Sequence, residues 1–190
     1  MDYTAEIRGR TLEYFEDEHL YLVDGIIVPS ITQIVKKIVG GRYKDVPADV
    51  LKRAADKGTA VHEAIENYVK NGVDSTLPEL RGFKFLQRQY NFRVLESEVP
   101  VILFDAVSPI AAGRLDLVLE MDGKIGGADI KRTATLDKEY LYYQLNLYRI
   151  AYFQSYGVDW EFLRGIHLRE EKRKFVEIPI DEGAVKEWIL

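Results

Sequence analysis

The chain has 190 residues, 47% of them hydrophobic and 30% charged, which predicts one domain over residues 1–190 with a sizeable core. It contains no cysteine, so disulfides, thiolate zinc sites and a cysteine nucleophile are excluded; this composition fits a reducing cytoplasm, the expected location. The formal net charge of -5 speaks against coating nucleic acid by bulk electrostatics, but leaves room for a local grip on a few phosphates.

No apolar run of about 18 residues occurs, so no membrane partner is expected. The first ten residues are polar and lack the apolar core of a secretory signal. Basic residues cluster at Lys36, Lys37, Arg42 and Lys44, and again from Arg164 to Lys174; a solvated, mixed-charge surface is the plain explanation.

Thr11 to Val28 reads as short strands, with Asp24-Gly25 as a hairpin turn. Ser30 is placed to cap a helix whose apolar stripe is Ile31, Ile34, Val35 and Ile38, ended by Gly40-Gly41. A longer helix is predicted over 48–70, closed by Asn71-Gly72, with Val61, Ile65 and Val69 on one arc and His62 at its edge. Glu66 falls further round and Glu63 nearly opposite. Another helix is expected over 80–93.

Strands are predicted over 94–103, 110–120 and 124–131, the last two joined by Met121-Asp122-Gly123. A helix over 138–156 stops at Gly157. Two strands, 160–169 and 174–180, and a terminal helix over 181–190 with Asp181 near its N-cap complete the chain. This order predicts an α/β fold with a mixed central sheet flanked by helices.

Alternation along the 110–120 strand puts Leu115, Leu117 and Leu119 on one face and Arg114, Asp116 and Val118 on the other. Asp129 and Lys131, two residues apart, share a face of the next strand, beside the small Gly126 and Gly127. If these strands pair antiparallel, Asp116 and Asp129 face one volume. Two close carboxylates repel, and a cation relieves the repulsion; oxygen donors suit Mg2+ or Mn2+. Lys131 can then position or help deprotonate an attacking water, or offset charge on a phosphate. A solvent-facing Asp-Lys pair is the alternative.

Asp116 followed by Asp129-Ile130-Lys131 resembles the PD-(D/E)XK nuclease superfamily, although Leu115 stands where that motif has proline. Gly58-Thr59-Ala60-Val61-His62-Glu63 resembles the helix motif of its RecB-like exonuclease branch. Glu98 in Ser97-Glu98-Val99-Pro100-Val101 matches the acidic residue preceding the second strand motif. Gln144-Leu145-Asn146-Leu147-Tyr148 is similar to the Q-x-x-x-Y helix motif. Val28-Pro29-Ser30-Ile31-Thr32 resembles an N-terminal segment of phage members.

The resemblance spans roughly Pro29 to Arg169. It implies a restriction-endonuclease-like core with an N-terminal hairpin and helical additions. It also implies a metal held by His62, Asp116, Asp129 and the carbonyl of Ile130, with Lys131, Glu98, Gln144 and Tyr148 completing the catalytic set. Each has a bland alternative: His62 as a core histidine, Glu98 as an exposed partner of Glu96, Gln144 and Tyr148 as a helix-packing pair. Arg114 and Arg132 are candidates for phosphate contacts or plain surface residues.

The implied activity is metal-dependent exonuclease action on DNA ends, in phage or bacterial recombination or repair. A recombination partner protein or a homo-oligomer is compatible with it. An endonuclease of the same fold and a non-catalytic DNA- or partner-binding module are the competing expectations.

Overall fold

The computed structural model describes residues 2–40, 47–181 and 183–186. Arg42, Lys44, Gly41 and the end of the expected terminal helix lie outside them.

The N-terminal segment forms a four-stranded antiparallel sheet, β1 (Tyr3–Ile7), β2 (Arg10–Phe15), β3 (Leu20–Val23) and β4 (Ile26–Val28). The expectation was a hairpin, with no strand before Thr11. The missed turn is Arg8-Gly9, whose φ values of 51° and 74° match the 52° and 77° of the anticipated Asp24-Gly25 turn. Two consecutive positive φ values suit the twist of a two-residue hairpin, and glycine supplies the second without strain.

Helix α1 (Ile31–Val39) begins as expected. Ser30 accepts from the amide of Gln33, and the Gln33 side chain accepts from the amide of Ser30. Helix α2 (Ala48–Asn71) buries Val61 and Ile65 and closes at Gly72 in the left-handed conformation. Helix α3 runs Pro78–Tyr90, starting earlier than expected on a proline and ending where Asn91 turns left-handed. Arg93 therefore begins a strand instead of ending the helix.

The central sheet has the order β5-β6-β7-β8-β9. Its strands are β5 (Arg93–Asp105), β6 (Ser108–Met121), β7 (Lys124–Lys131), β8 (Phe162–Arg169) and β9 (Lys172–Ile178). All neighbours are antiparallel except β7 and β8, which are parallel and joined through helix α4 (Lys138–Tyr156). The short α5 (Gly183–Lys186) follows, and Asp181 Oδ1 accepts from the Gly183 amide. The chain thus has a mixed five-stranded sheet flanked by helices. No helix among the described residues is long and apolar enough to cross a membrane.

One apolar cluster joins α1 and α4 to the sheet through Val99, Val101, Leu115 and Val118. A second joins α2 and α3 to it through Leu117, Leu119, Ala128 and Ile130. Leu115 and Leu117 therefore pack in different clusters, against the expectation that Leu115, Leu117 and Leu119 share a face; the alternation breaks at Asp116. A third cluster seats Leu12, Tyr21 and Val23 of the N-terminal sheet on Ile102, Phe104 and Ala112.

Gly126 and Gly127 do not make room for the Asp129 side. A Cβ on Gly127 would lie 2.0 Å from the Trp160 ring, and one on Gly126 2.4 Å from the Phe162 ring. These glycines let β7 accept the aromatic side chains that precede and open β8.

Candidate active site

The β6–β7 ladder runs from Met121↔Lys124 to Leu117↔Ala128. Just beyond it, the Asp116 side chain takes over from the ladder: its Oδ2 accepts from the Ile130 amide at 2.6 Å. Oδ1 lies 3.5 Å from His62 Nδ1. A strand carboxylate at this place thus satisfies a buried backbone donor with one oxygen and presents the other.

Glu98 reaches the same point from β5. Its flanking residues pair as Ser97↔Leu117 and Val99↔Leu115, which sets Glu98 abreast of Asp116. Its φ of 54° is a left-handed conformation that a glutamate adopts at a cost of about 1 kcal/mol or more. The kink separates Glu98 from Glu96, which was expected to share its face. Glu96 accepts from the Tyr152 hydroxyl, while Glu98 Oε1 lies 3.8 Å from His62 Nδ1 and Oε2 lies 2.7 Å from Arg114 Nε.

His62 enters from α2. Its Nε2 lies 3.1 Å from the Ile130 carbonyl oxygen, which makes Nε2–H the donor. His62, Glu98 and Asp116 therefore share one design. Each spends one polar atom on a fixed partner (the Ile130 carbonyl, Arg114, the Ile130 amide) and aims its other atom at a common point. One ligand atom from each of the three residues lies within 4.8 Å of the other two. Ligands around an octahedral Mg2+ or Mn2+ at about 2.1 Å sit about 3 Å apart, so the separations of 3.5 and 3.8 Å need only a small contraction. One imidazole nitrogen and two carboxylate oxygens fit such an ion.

Asp129 and Lys131 stand beside this group and form an ion pair through Oδ2 and Nζ. The Lys131 ammonium also lies 5.6 Å from the centre of the Tyr140 ring. Asp129 and the Ile130 carbonyl, the other two ligands that the resemblance implies, are engaged here by Lys131 and His62.

The electrostatics agree with crowding of like charges. Burial, joined by the Glu98 charge, pushes the Asp116 carboxyl up against the pull of His62 and Lys131. Burial and Asp116 likewise push Asp129 up. Burial pulls the His62 imidazole down, but Asp116, Glu98 and Asp129 outweigh it and lift it to about 9. Burial also opposes the charge on Lys131, yet Asp129 and Asp116 raise it above the ordinary lysine value.

Gln144 and Tyr148 separate. The Tyr148 hydroxyl donates to the Arg114 carbonyl at 3.2 Å and its ring borders the cleft. Gln144 is buried, with an Oε1 that has no partner among the described residues. Arg132 is no surface group: it pairs at 2.8 Å with the buried Glu79, whose Oε1 also accepts from the Glu170 amide. Described residues of the 164–174 basic run pack on aromatic rings, Arg164 over Phe162 and Phe175, and Arg173 over Phe85.

A cleft of about 860 Å³ opens over His62, Glu98 and Asp116. The α2 residues Gly58, Glu63 and Glu66 form one wall; Glu63 is exposed, away from the buried Val61 and Ile65, as the helical wheel implied. The opposite wall comes from Tyr14, His19 and Tyr21 of the N-terminal sheet and from Ser30 and Lys36 of the α1 region. Sequence reasoning missed the N-terminal wall. Its signal was a tyrosine in each of three strands, Tyr3, Tyr14 and Tyr21, which the register Tyr3↔Tyr14 and Tyr14↔Tyr21 aligns into a row.

No protein-family model matches the chain, and no curated protein does. A solved structure, "Crystal structure of SSO0001", aligns with a TM-score of 0.41 and 17% identity over 84% of this chain and 72% of that one. That likeness is too distant to carry an argument about fold or function.

Proposed function

We propose that this chain is a metal-dependent deoxyribonuclease of the PD-(D/E)XK kind, with a restriction-endonuclease-like core, hydrolysing phosphodiester bonds at DNA ends. The observation that carries the reading is the shared orientation of His62, Glu98 and Asp116. Each is held by one fixed contact and presents its second donor atom to the same point. Side chains from three elements aimed in this way are hard to account for by packing alone. The DNA substrate and the action on ends come from the family resemblance.

A Mg2+ or Mn2+ ion bound by these three residues would polarise a phosphoryl oxygen and acidify a water molecule. The Lys131 ammonium, kept protonated by its carboxylate neighbours, supplies positive charge next to them and orients water through its N–H groups; it is poorly suited to act as a base. Asp129 fixes that ammonium in place. Tyr148 ties the Arg114 backbone, and with it the β6 segment that carries Asp116, to α4.

The test is degradation of end-labelled linear DNA and of closed circular DNA, with and without Mg2+ or Mn2+. The wild-type chain is expected to degrade linear DNA only when metal is present and to leave the circle intact, and Asp116→Ala to degrade neither. Cleavage of the circle would make it an endonuclease of the same kind. Metal-independent cleavage, equal cleavage by Asp116→Ala, or no cleavage with either metal would overturn the proposal.

A further inference from the structure

Arg114 leaves β6 two residues before Asp116. Its guanidinium is held on two sides. Nε pairs with Glu98 Oε2 at 2.7 Å, and the guanidinium carbon lies 5.8 and 5.9 Å from the ring centres of Tyr3 and Tyr14. Those distances are within the range of cation–π attraction. The rings are themselves fixed: Tyr3 and Tyr14 have centres 5.4 Å apart, Tyr14 and Tyr21 4.6 Å apart, on paired strands.

The side chain remains 35% exposed, and it borders the cleft. Glu98 is its carboxylate partner among the described residues, and five N–H donors exceed what one carboxylate can take. Lys36 and the histidines aside, carboxylates dominate the cleft: Glu16, Glu63, Glu66, Glu98 and Asp116 border it. A polyanion entering such a space needs a fixed cation close to the reacting phosphate. A guanidinium whose orientation is already set loses little freedom on binding.

We propose that Arg114 is a phosphate-binding residue, gripping the non-bridging oxygens of a phosphodiester next to the one cleaved, with the Tyr3–Tyr14 row of the N-terminal sheet as its platform. The identity of the ligand rests on the nuclease reading; the preformed cation does not. The N-terminal sheet is then part of the substrate site rather than an appendage to the α/β core.

The test is the affinity of a short fluorescein-labelled oligodeoxythymidylate in EDTA, measured over a range of salt concentrations, alongside calorimetric Mn2+ titration of the same proteins. Arg114→Ala is expected to bind the oligonucleotide about 10- to 100-fold more weakly. Its log–log salt slope should be shallower by about 0.7, the loss of one contact to a single strand. Arg114→Lys keeps the charge but loses the planar fork, so it should keep the slope and lose affinity severalfold. Arg114→Ala releases Glu98 and should weaken Mn2+ binding as well, so the phosphate role is read from affinity and slope in EDTA, which need no metal.

Unchanged affinity and slope in Arg114→Ala would overturn the proposal while leaving the nuclease reading intact, provided wild-type cleavage still depends on Asp116. If Arg114→Ala does not fold, undiminished affinity in Arg114→Lys overturns it equally. Loss of Mn2+ binding in Arg114→Ala with oligonucleotide affinity and slope in EDTA unchanged would mean that the residue acts only by holding Glu98, and the phosphate role would fall. Absence of oligonucleotide binding by the wild-type chain at low salt would overturn this inference; absence of metal-dependent cleavage would overturn the nuclease reading separately.

Discussion

The Nε2 atom of His62 lies 3.1 Å from the carbonyl oxygen of Ile130, which joins α2 to the end of β7 and leaves Nδ1 facing Glu98 and Asp116. The hydrogen bond on one ring nitrogen decides what the other can do. His62→Gln places an amide near the Nε2 position and nothing at Nδ1. It should keep thermal stability within about 1 kcal/mol. Mn2+ affinity should fall by about tenfold or more, together with cleavage. Wild-type Mn2+ affinity in this variant would show that Nδ1 is not a ligand.

Gln144 offers a separation of stability from activity. Its Oε1 is buried without a partner, a cost of about 1–3 kcal/mol when nothing repays it. Gln144→Leu should therefore match or exceed the wild-type melting temperature. If the amide serves the reaction, cleavage falls while the melt holds. Undiminished cleavage in the stable variant would reduce Gln144 to a packing residue of α4.

The close approach of β7 to Trp160 makes Gly127 intolerant of a methyl group. A Cβ there would lie 2.0 Å from a ring that is almost wholly buried, and neither strand nor ring has space to yield. Gly127→Ala should lose at least about 2 kcal/mol, read as a lower urea midpoint. A wild-type midpoint would contradict the packing described for the β7–β8 pair.

Glu79 gives the pH dependence a definite sign. Burial raises its pKa, but the Glu170 amide, its own amide and Arg132 outweigh that, and the net shift is below the ordinary 4.5. A carboxyl with a depressed folded-state pKa contributes its full stability above the unfolded value. That contribution is lost as pH falls through the folded value. Glu79→Gln should therefore be less stable than wild type by about 3 kcal/mol at neutral pH. The gap should narrow below pH 4.5. A gap that stays constant down to acid unfolding would refute the charged pairing with Arg132.

Much of the site was legible in the sequence because chain order alone brought the parts together. The turn at Asp122-Gly123 forces β6 back onto β7 and so sets Asp116 beside Asp129. The helical spacing of Val61 and Ile65 fixed which side of α2 packs inward, and His62 follows at its edge. The direction of Glu98 was not legible. It depends on one left-handed residue inside a strand, and no local pattern announces that a glutamate will adopt it. The N-terminal wall was hidden for a different reason. Arg8-Gly9 is a weaker hairpin signal than Asp24-Gly25, so β1 went unread, and with it the tyrosine row that only strand register creates. The glycines of β7 were misjudged because the rings they accommodate, Trp160 and Phe162, come from the far side of a long helical crossover.

Calorimetric titration of Mn2+ into the wild-type chain and into Asp116→Asn tests the metal centre without relying on any assumption about substrate. One saturable site per chain, lost or weakened at least tenfold in Asp116→Asn, is the predicted result. No binding by the wild-type chain, or equal binding by the variant, would contradict it.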